Sequence, residues 1–301
     1  MRSSLCHGTC VEVELSLDLT SPTQLRELLR THGFRIKKRL GQNFLVDRNV
    51  LDKIIEIADI SNHDNILEIG PGVGTLTLSL AERGARIVAV EVDHTLIPIL
   101  REVLDPYHNV TVVHSDILAL DMPLFIRENF GDGTVKVVGN LPYYITSPVI
   151  TKMIEARSCF ERIVFMVQKE VADRLTSPPG TKEYGSMTVF VQFYLQVEVA
   201  AHVSRNVFFP PPDVSSAIVR MTPRSTPPVD VPSEKVFFDI VHCAFGQRRK
   251  TILNSLSNCP ALSLSKDEAA RILHEASVDA SRRPETLSLE DFARIARCLD
   301  A

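Results

Sequence analysis

Four consecutive residues of the 301-residue chain, Asn140-Leu141-Pro142-Tyr143, combine acceptors with an aromatic plate. The lone pair of an adenine amine is delocalised into the ring, which makes the amine a poor nucleophile. Two acceptors that hold its protons favour a tetrahedral and more reactive nitrogen. The Asn140 side-chain oxygen and the Leu141 carbonyl are such acceptors, and Pro142 restricts the backbone that presents them. Tyr143 offers a face for the base, a stacking interaction worth ~1–3 kcal/mol. A base reacting there must first leave its own stack. Alone, Asn-Leu-Pro is a common turn, so the context has to decide. Phe208, in Phe208-Phe209-Pro210-Pro211-Pro212-Asp213-Val214, is a candidate second aromatic wall, with plain core packing as the alternative.

The context is a glycine-rich turn, Glu68-Ile69-Gly70-Pro71-Gly72-Val73-Gly74, between an apolar run and a helical pattern. Glycines permit positive φ and let a ligand approach bare backbone. A dinucleotide favours G-x-G-x-x-G, with its pyrophosphate on the helix N-terminus. Here Gly70, Gly72 and Gly74 read G-x-G-x-G behind an acid. That spacing suits a ligand without phosphates, whose methionyl group lies over the turn. Glu91, ending the next β-branched run, can take two ribose hydroxyls, which either cofactor class would want. Asp116, in His114-Ser115-Asp116-Ile117, can accept from an adenine amine, although a turn cap is as common a use. Together these residues predict transfer of a methyl group from the sulfonium of S-adenosylmethionine. Most of the rate would come from positioning, and no metal is required.

These residues need a scaffold that brings strand ends together. Apolar runs at 65–69, 86–92, 110–114, 135–139 and 162–167 alternate with helical patterns such as 76–83 and 147–156. That alternation predicts a parallel sheet covered on both faces. Residues 189–199 and 215–221 read as two long strands closing the sheet as an antiparallel pair. Before the sheet, Ser21-Pro22 and Gly33 bracket one helix, and a second starts near Asp47. Thr222 to Pro232 is proline-rich and polar, a linker. Beyond it, 234–244, 250–256, 266–275 and 288–299 read as helices, the last with a capping box at Ser288 and Asp291.

Composition bounds the function. With 45% hydrophobic and 23% charged residues, the chain is an ordinary globular protein. It holds no apolar run near the ~20 residues that cross a bilayer. The first 21 residues lack a secretory pattern. Six scattered cysteines do not form a disulfide framework and suggest free thiols in a reducing cytoplasm. Cys6 and Cys10 without a second pair make a poor zinc site. The net charge of −4 disfavours a wholly basic surface. Local clusters nonetheless offer phosphate contacts: Arg35, Lys37, Lys38 and Arg39, then Arg248, Arg249 and Lys250, with Arg282-Arg283 as a smaller one.

From about Arg35 to Leu299 the chain resembles the ribosomal RNA adenine dimethyltransferases of the small subunit. The resemblance rests on Gly41-Gln42-Asn43-Phe44-Leu45, Glu68–Gly74 and Glu91, Asn140–Tyr143, Gln168-Lys169-Glu170-Val171-Ala172, Tyr184-Gly185, Phe208-x-Pro210-x-Pro212-x-Val214-x-Ser216 and Arg248-Arg249-Lys250. It implies that Asn43 and Leu45 close over the cofactor, and that Gly70, Glu91, Asp116 and Asn140 contact it. It also implies that Tyr143 and Phe208 sandwich the adenine. The substrate would be two adjacent adenines near the 3′ end of small-subunit (16S) rRNA, met by a monomer within an assembly intermediate. Asp213 departs from the family, where a basic residue is frequent. The fold so implied is α/β: a Rossmann-like class I methyltransferase domain with a mixed seven-stranded sheet, plus a small all-α C-terminal domain. Its boundaries are a 1–34 extension and helix, a 35–221 catalytic domain, a 222–233 linker and a 234–301 helical domain that contacts the subunit. A large-subunit rRNA methyltransferase of the macrolide-resistance type is the neighbouring alternative. A non-catalytic assembly factor on the same fold is another, and intact Asn140, Tyr143, Glu91 and Asp116 argue against it.

Overall fold

The computed structural model describes residues 17–37, 41–247 and 249–299. Cys6, Cys10, Lys38, Arg39 and Arg248 therefore lie outside the described residues. Helix α1 (Pro22–Thr31) starts where expected, with Ser21 as N-cap and Pro22 in the first turn. Gly33, at φ 59°, turns the chain away after it. Strand β1 (Phe44–Leu45) precedes α2 (Arg48–Ala58), whose N-cap Asp47 accepts from the Val50 N–H.

Five strand–helix steps and a further strand build most of the sheet. They are β2 (Asn65–Ile69) and α3 (Thr75–Ala81), β3 (Arg86–Glu91) and α4 (Ile97–Leu104), and β4 (Val110–His114) and α5 (Met122–Phe130). Then come β5 (Val135–Asn140) and α6 (Thr146–Glu155), β6 (Phe160–Gln168) with α7 (Lys169–Thr176) and α8 (Ser186–Tyr194), and finally β7 (Leu195–Val203). Strands β8 (Phe208–Phe209) and β9 (Ser216–Pro223) complete the set. The seven-stranded sheet runs β4-β3-β2-β5-β6-β9-β7. Its first five strands are parallel, and β9 lies antiparallel between β6 and β7.

The chain winds outward from β2 to β4, then returns to β5 and winds the other way. The reversal leaves a crevice beyond the carboxyl ends of β2 and β5, where ligands bind in such sheets. Both faces of the sheet are covered, which is why the central strands are almost continuously apolar. Leu67 and Ile69 join one core with Phe125 and Ile126 of α5 and Met153 of α6. Ile66, on the opposite face, joins another with Ile54 and Ile55 of α2 and Leu80 of α3. Helix α1 packs Leu25, Leu28 and Leu29 with Leu96 and Leu100 around Phe44.

One expectation about elements fails. Residues 189–199 are not a single strand, because 189–194 belong to helix α8. Val189, Val191 and Phe193 are all buried. Val191 faces the sheet core, while Val189 and Phe193 face the C-terminal core. A helix buried on opposite sides loses its one-sided apolar stripe, and its β-branched residues then read as a strand.

The C-terminal helices are α9 (Glu234–Gly246), α10 (Ile252–Ser257), α11 (Lys266–Glu275) and α12 (Leu289–Leu299). Ser288 and Asp291 form the expected reciprocal cap of α12. This core reaches back across the proline-rich segment to Tyr184 and α8, where the Phe193 and Phe237 rings lie 4.9 Å apart. Helix α8 thus contributes to both the sheet core and the C-terminal core. A second correction concerns the cysteines: Cys243 and Cys259 are joined in a disulfide, while Cys159 and Cys298 are free. Helix packing brings α9 and the end of α10 together, which a 16-residue separation alone does not reveal.

Candidate active site

A cavity of about 110 Å³ opens at the crevice between β2 and β5. Strand β2 carries Glu68 next to its end and leads into Gly70 and Gly72, β3 ends in Glu91, and β5 ends in Asn140; all five residues line the cavity. Asp116 joins them from the turn after β4. The remaining wall is a two-stranded sheet in which β1 pairs antiparallel with β8, Leu45 opposite Phe208. That pairing places Asn43, Leu45 and Phe208 on the same cavity as the glycine turn.

Asn140 is tied across the cavity. Its Nδ2 donates to the Asn43 carbonyl at 3.0 Å. That bond commits one of the amide's two N–H donors to the scaffold and leaves Oδ1 as acceptor. The turn after it is fixed at several points. Leu141 is buried, and its N–H donates to the Met166 carbonyl at 3.1 Å. The Pro142 carbonyl accepts from the Thr146 hydroxyl at 3.2 Å. Tyr143 is half-buried, its hydroxyl 3.1 Å from Ser216 Oγ. Burial pushes the Tyr143 phenol up, against the pull of Ser216, so it stays neutral near pH 7.

The carboxylates occupy different environments. Glu91 is buried and accepts from the Gly72 N–H at 3.1 Å and the Asp93 N–H at 2.8 Å. Burial pushes its carboxyl above the ordinary carboxylate range, and the N–H groups offset that push only in part. Two backbone donors leave acceptor capacity on both oxygens. Glu68 is 1% exposed, and its Oε2 has no hydrogen-bond partner. Burial, aided by the charge of Glu91, pushes Glu68 up to about 8. Asp116 Oδ1 accepts from the Leu118 N–H at 2.9 Å, so it caps its turn as well as lining the cavity.

The glycines divide by task. A Cβ on Gly70 would meet nothing within 4 Å, which leaves bare backbone facing open space. A Cβ on Gly72 would press on the Phe44 ring at 3.1 Å. Gly74, expected among the cofactor residues, does not line the cavity. It begins α3 at φ 92°, and a Cβ there would meet Leu100 and Val103 of α4 at 3.3 and 3.5 Å. Its requirement is helix packing.

Lys37 also departs from expectation. Its ammonium bonds Asp93 at 2.7 Å and the Thr95 hydroxyl at 2.9 Å. Gln42 Nε2 reaches the same carboxylate at 2.8 Å. Burial pushes Asp93 up, but Lys37, Thr95 and Gln42 outweigh it and hold it at about 2. Lys37 therefore clasps the segment before β1 to the end of β3 and is not free for phosphate. Sequence reasoning missed Asp93 and Gln42 in this clasp. The Glu91-x-Asp93 spacing was the available signal for the first, and nothing local marked the second. Arg35, Arg249 and Lys250 are exposed and pair with no carboxylate among the described residues. Arg282 is bound to Asp291 at 3.2 Å, which reduces the smaller cluster to Arg283.

The cavity bears the carboxylates Glu91 and Asp116 beside the buried acid Glu68, and among its described lining residues no lysine, arginine or histidine. Such a wall repels a pyrophosphate and accepts a cationic nucleoside with a free ribose diol. S-adenosylmethionine fits that description: its ammonium and sulfonium are positive, and it carries no phosphate.

A family profile described as ribosomal RNA adenine dimethylase matches residues 33–299. The chain belongs to the ribosomal RNA adenine dimethylase family. It is 45% identical over 287 residues to the ribosomal RNA small subunit methyltransferase A of Geobacillus sp. (strain WCH70), covering 95% of this chain and 99% of that protein. The corresponding protein of Bacillus pumilus (strain SAFR-032) is 44% identical, covering 95% of this chain and 98% of that one. Among solved structures, a dimethyladenosine transferase from Plasmodium falciparum is similar with a TM-score of 0.69 and 27% identity, over 84% of this chain and 95% of that one. The 23S rRNA methyltransferase ErmE is similar with a TM-score of 0.66 and 29% identity, over 86% of this chain and all of that one. Membership in the dimethylase family agrees with the α/β sheet, the helical C-terminal region and the enzyme class read from the sequence.

Proposed function

We propose that this chain transfers methyl groups from S-adenosylmethionine to N6 of two adjacent adenines near the 3′ end of small-subunit rRNA, giving dimethyladenosines. One observation carries the reading. The Asn140 amide, locked by the Asn43 carbonyl, keeps its acceptor oxygen on the cavity whose wall of carboxylates suits a cationic nucleoside. Glu91 would hold the ribose hydroxyls and Asp116 the cofactor's adenine amine, with Gly70 and Gly72 offering bare backbone and Asn43 and Leu45 closing the side. When bound, S-adenosylmethionine supplies an electrophilic methyl on a positively charged sulfur.

The chain's own residues do the rest by positioning. Tyr143 and Phe208 flank the extruded base. Asn140 Oδ1 and the Leu141 carbonyl accept the two amine protons, which turns the nitrogen lone pair out of conjugation. The neutral Tyr143 keeps an uncharged plate against the purine. Arg35, Arg249 and Lys250 take phosphates of the strand, with the 234–301 helices against the subunit. The protein acts as a monomer on an assembly intermediate in the cytoplasm. In that compartment the Cys243–Cys259 pair would meet reducing conditions.

The test is mass spectrometry of rRNA digests after incubation with isotopically labelled S-adenosylmethionine and small or large subunits lacking the modification. Labelled dimethyladenosine in the small-subunit rRNA is expected. Label confined to the large subunit would instead favour the ErmE-like activity.

A further inference from the structure

Ser216 opens β9 and is 1% exposed, although serine is mostly a surface residue. Its backbone is held from both sides, opposite Gln168 of β6 and opposite Val203 of β7. One residue earlier, the Ser215 carbonyl accepts from the Lys169 N–H at 3.0 Å. A short side chain on so constrained a backbone puts its hydroxyl at a fixed point. Ser216 does not line the cavity, but the residue it touches does: its Oγ lies 3.1 Å from the Tyr143 hydroxyl.

A tyrosine ring turns about its side-chain torsions, and the hydroxyl is the atom farthest from that pivot. Holding the hydroxyl therefore fixes the direction of the ring's long axis. The segment that ends in Ser216 begins at Phe208, which lines the cavity and is paired through its backbone with Leu45. Residues 208–216 thus carry one of the two proposed plates and the anchor of the other. The slot between the plates is set before any base arrives.

We propose that Ser216 is a positioning residue for methyl transfer, its hydroxyl tethering Tyr143 so that the target adenine meets a fixed plate. This rests on the reading of the site as an rRNA adenine pocket, and it adds a residue outside the cavity on which the rate depends. A ring tied down in advance has little freedom left to lose when the base arrives. An untied ring lets the base drift, and its amine then spends less time against Asn140 Oδ1 and the Leu141 carbonyl in the reactive geometry.

The test uses the full chain as wild type, Ser216→Ala, Tyr143→Phe and the double variant, with small-subunit particles lacking the modification. Tyr143→Phe keeps the ring and removes the same hydrogen bond. Single-turnover methyl transfer at saturating particle should fall about 3- to 10-fold in either single variant, as expected for one neutral hydrogen bond. Particle affinity by filter binding should stay within a factor of about two, since phosphate contacts dominate it. The double variant should be no slower than the slower single variant, because both changes remove one bond. Calorimetric titration with S-adenosylmethionine alone should give Ser216→Ala the wild-type affinity, which reports an intact fold. Unchanged transfer by Tyr143→Phe overturns the proposal even where Ser216→Ala folds poorly, and so do losses that multiply in the double variant. Either result leaves the adenine pocket in place. A wild-type protein that transfers no methyl to the particles overturns the pocket reading and this proposal together.

Discussion

Glu68, Glu91 and Asp116 line one cavity, and the two glutamates meet different surroundings. Glu91 accepts from two backbone N–H groups, which partly offset the upward push of its burial, whereas Glu68 has one oxygen without a partner and is 1% exposed. Its carboxyl is pushed up to about 8 by burial and by the charge of Glu91. Glu68 thus binds its proton more tightly folded than unfolded. The stability this confers is complete below the ordinary carboxylate range and is lost as pH climbs toward about 8. Replacing Glu68 with Gln keeps the shape and removes the titration. The Tm of Glu68→Gln relative to wild type should therefore rise progressively between about pH 5 and about pH 8, by the equivalent of roughly 1–3 kcal/mol. Thermal unfolding in a pH series checks this, and a constant difference would contradict the buried, protonated acid. Sequence alone showed Glu68 only as an acid ahead of glycines. Its burial depends on α2 and α3 covering that face of β2, which is tertiary information.

At the scale of elements, the site depends on how closely β5 approaches β2. A Cβ on Gly139 would stand 2.7 Å from the Ile69 carbonyl oxygen and 3.3 Å from Leu141 Cδ2. Gly139 precedes Asn140, and Ile69 precedes Gly70, so this contact sets the distance between the two halves of the site. Gly139→Ala has backbone oxygen to displace and should cost ~1–3 kcal/mol of stability. It should also weaken S-adenosylmethionine binding, since the strand ends move apart. Urea denaturation and calorimetry measure the two effects, and unchanged values in both would contradict the close approach. Periodicity found β2 and β4 with their observed ends, because both are short apolar runs between turn residues. The same signal failed at α8, where burial against two cores erased the helical stripe. Gly74 likewise looked like part of the ligand turn, although its constraint comes from α4, which lies far along the chain.

At the scale of the whole molecule, the reversal of strand order converts separate sequence signals into one site. The glycine turn, Glu91 and Asn140 are spread from residue 68 to residue 140 and meet because β2, β3 and β5 are adjacent and parallel. Their residue types were legible in the chain because the chemistry constrains them directly. The clasp of Lys37 on Asp93, the pairing of β1 with β8 and the disulfide were not, because each joins segments with no shared pattern. The net charge of −4 is compatible with RNA contact when exposed cations such as Arg35, Arg249 and Lys250 are not among the residues lining the acidic cavity.

If binding and chemistry rest on different residues, a direct test follows. Asn140→Ala removes the proposed acceptor for the amine and leaves the exposed cations and the C-terminal helices untouched. Methyl transfer to small-subunit rRNA, followed in single turnover beside filter binding of the same particles, should fall at least ~100-fold while particle affinity stays within a factor of about two. Retained transfer by Asn140→Ala would contradict the account.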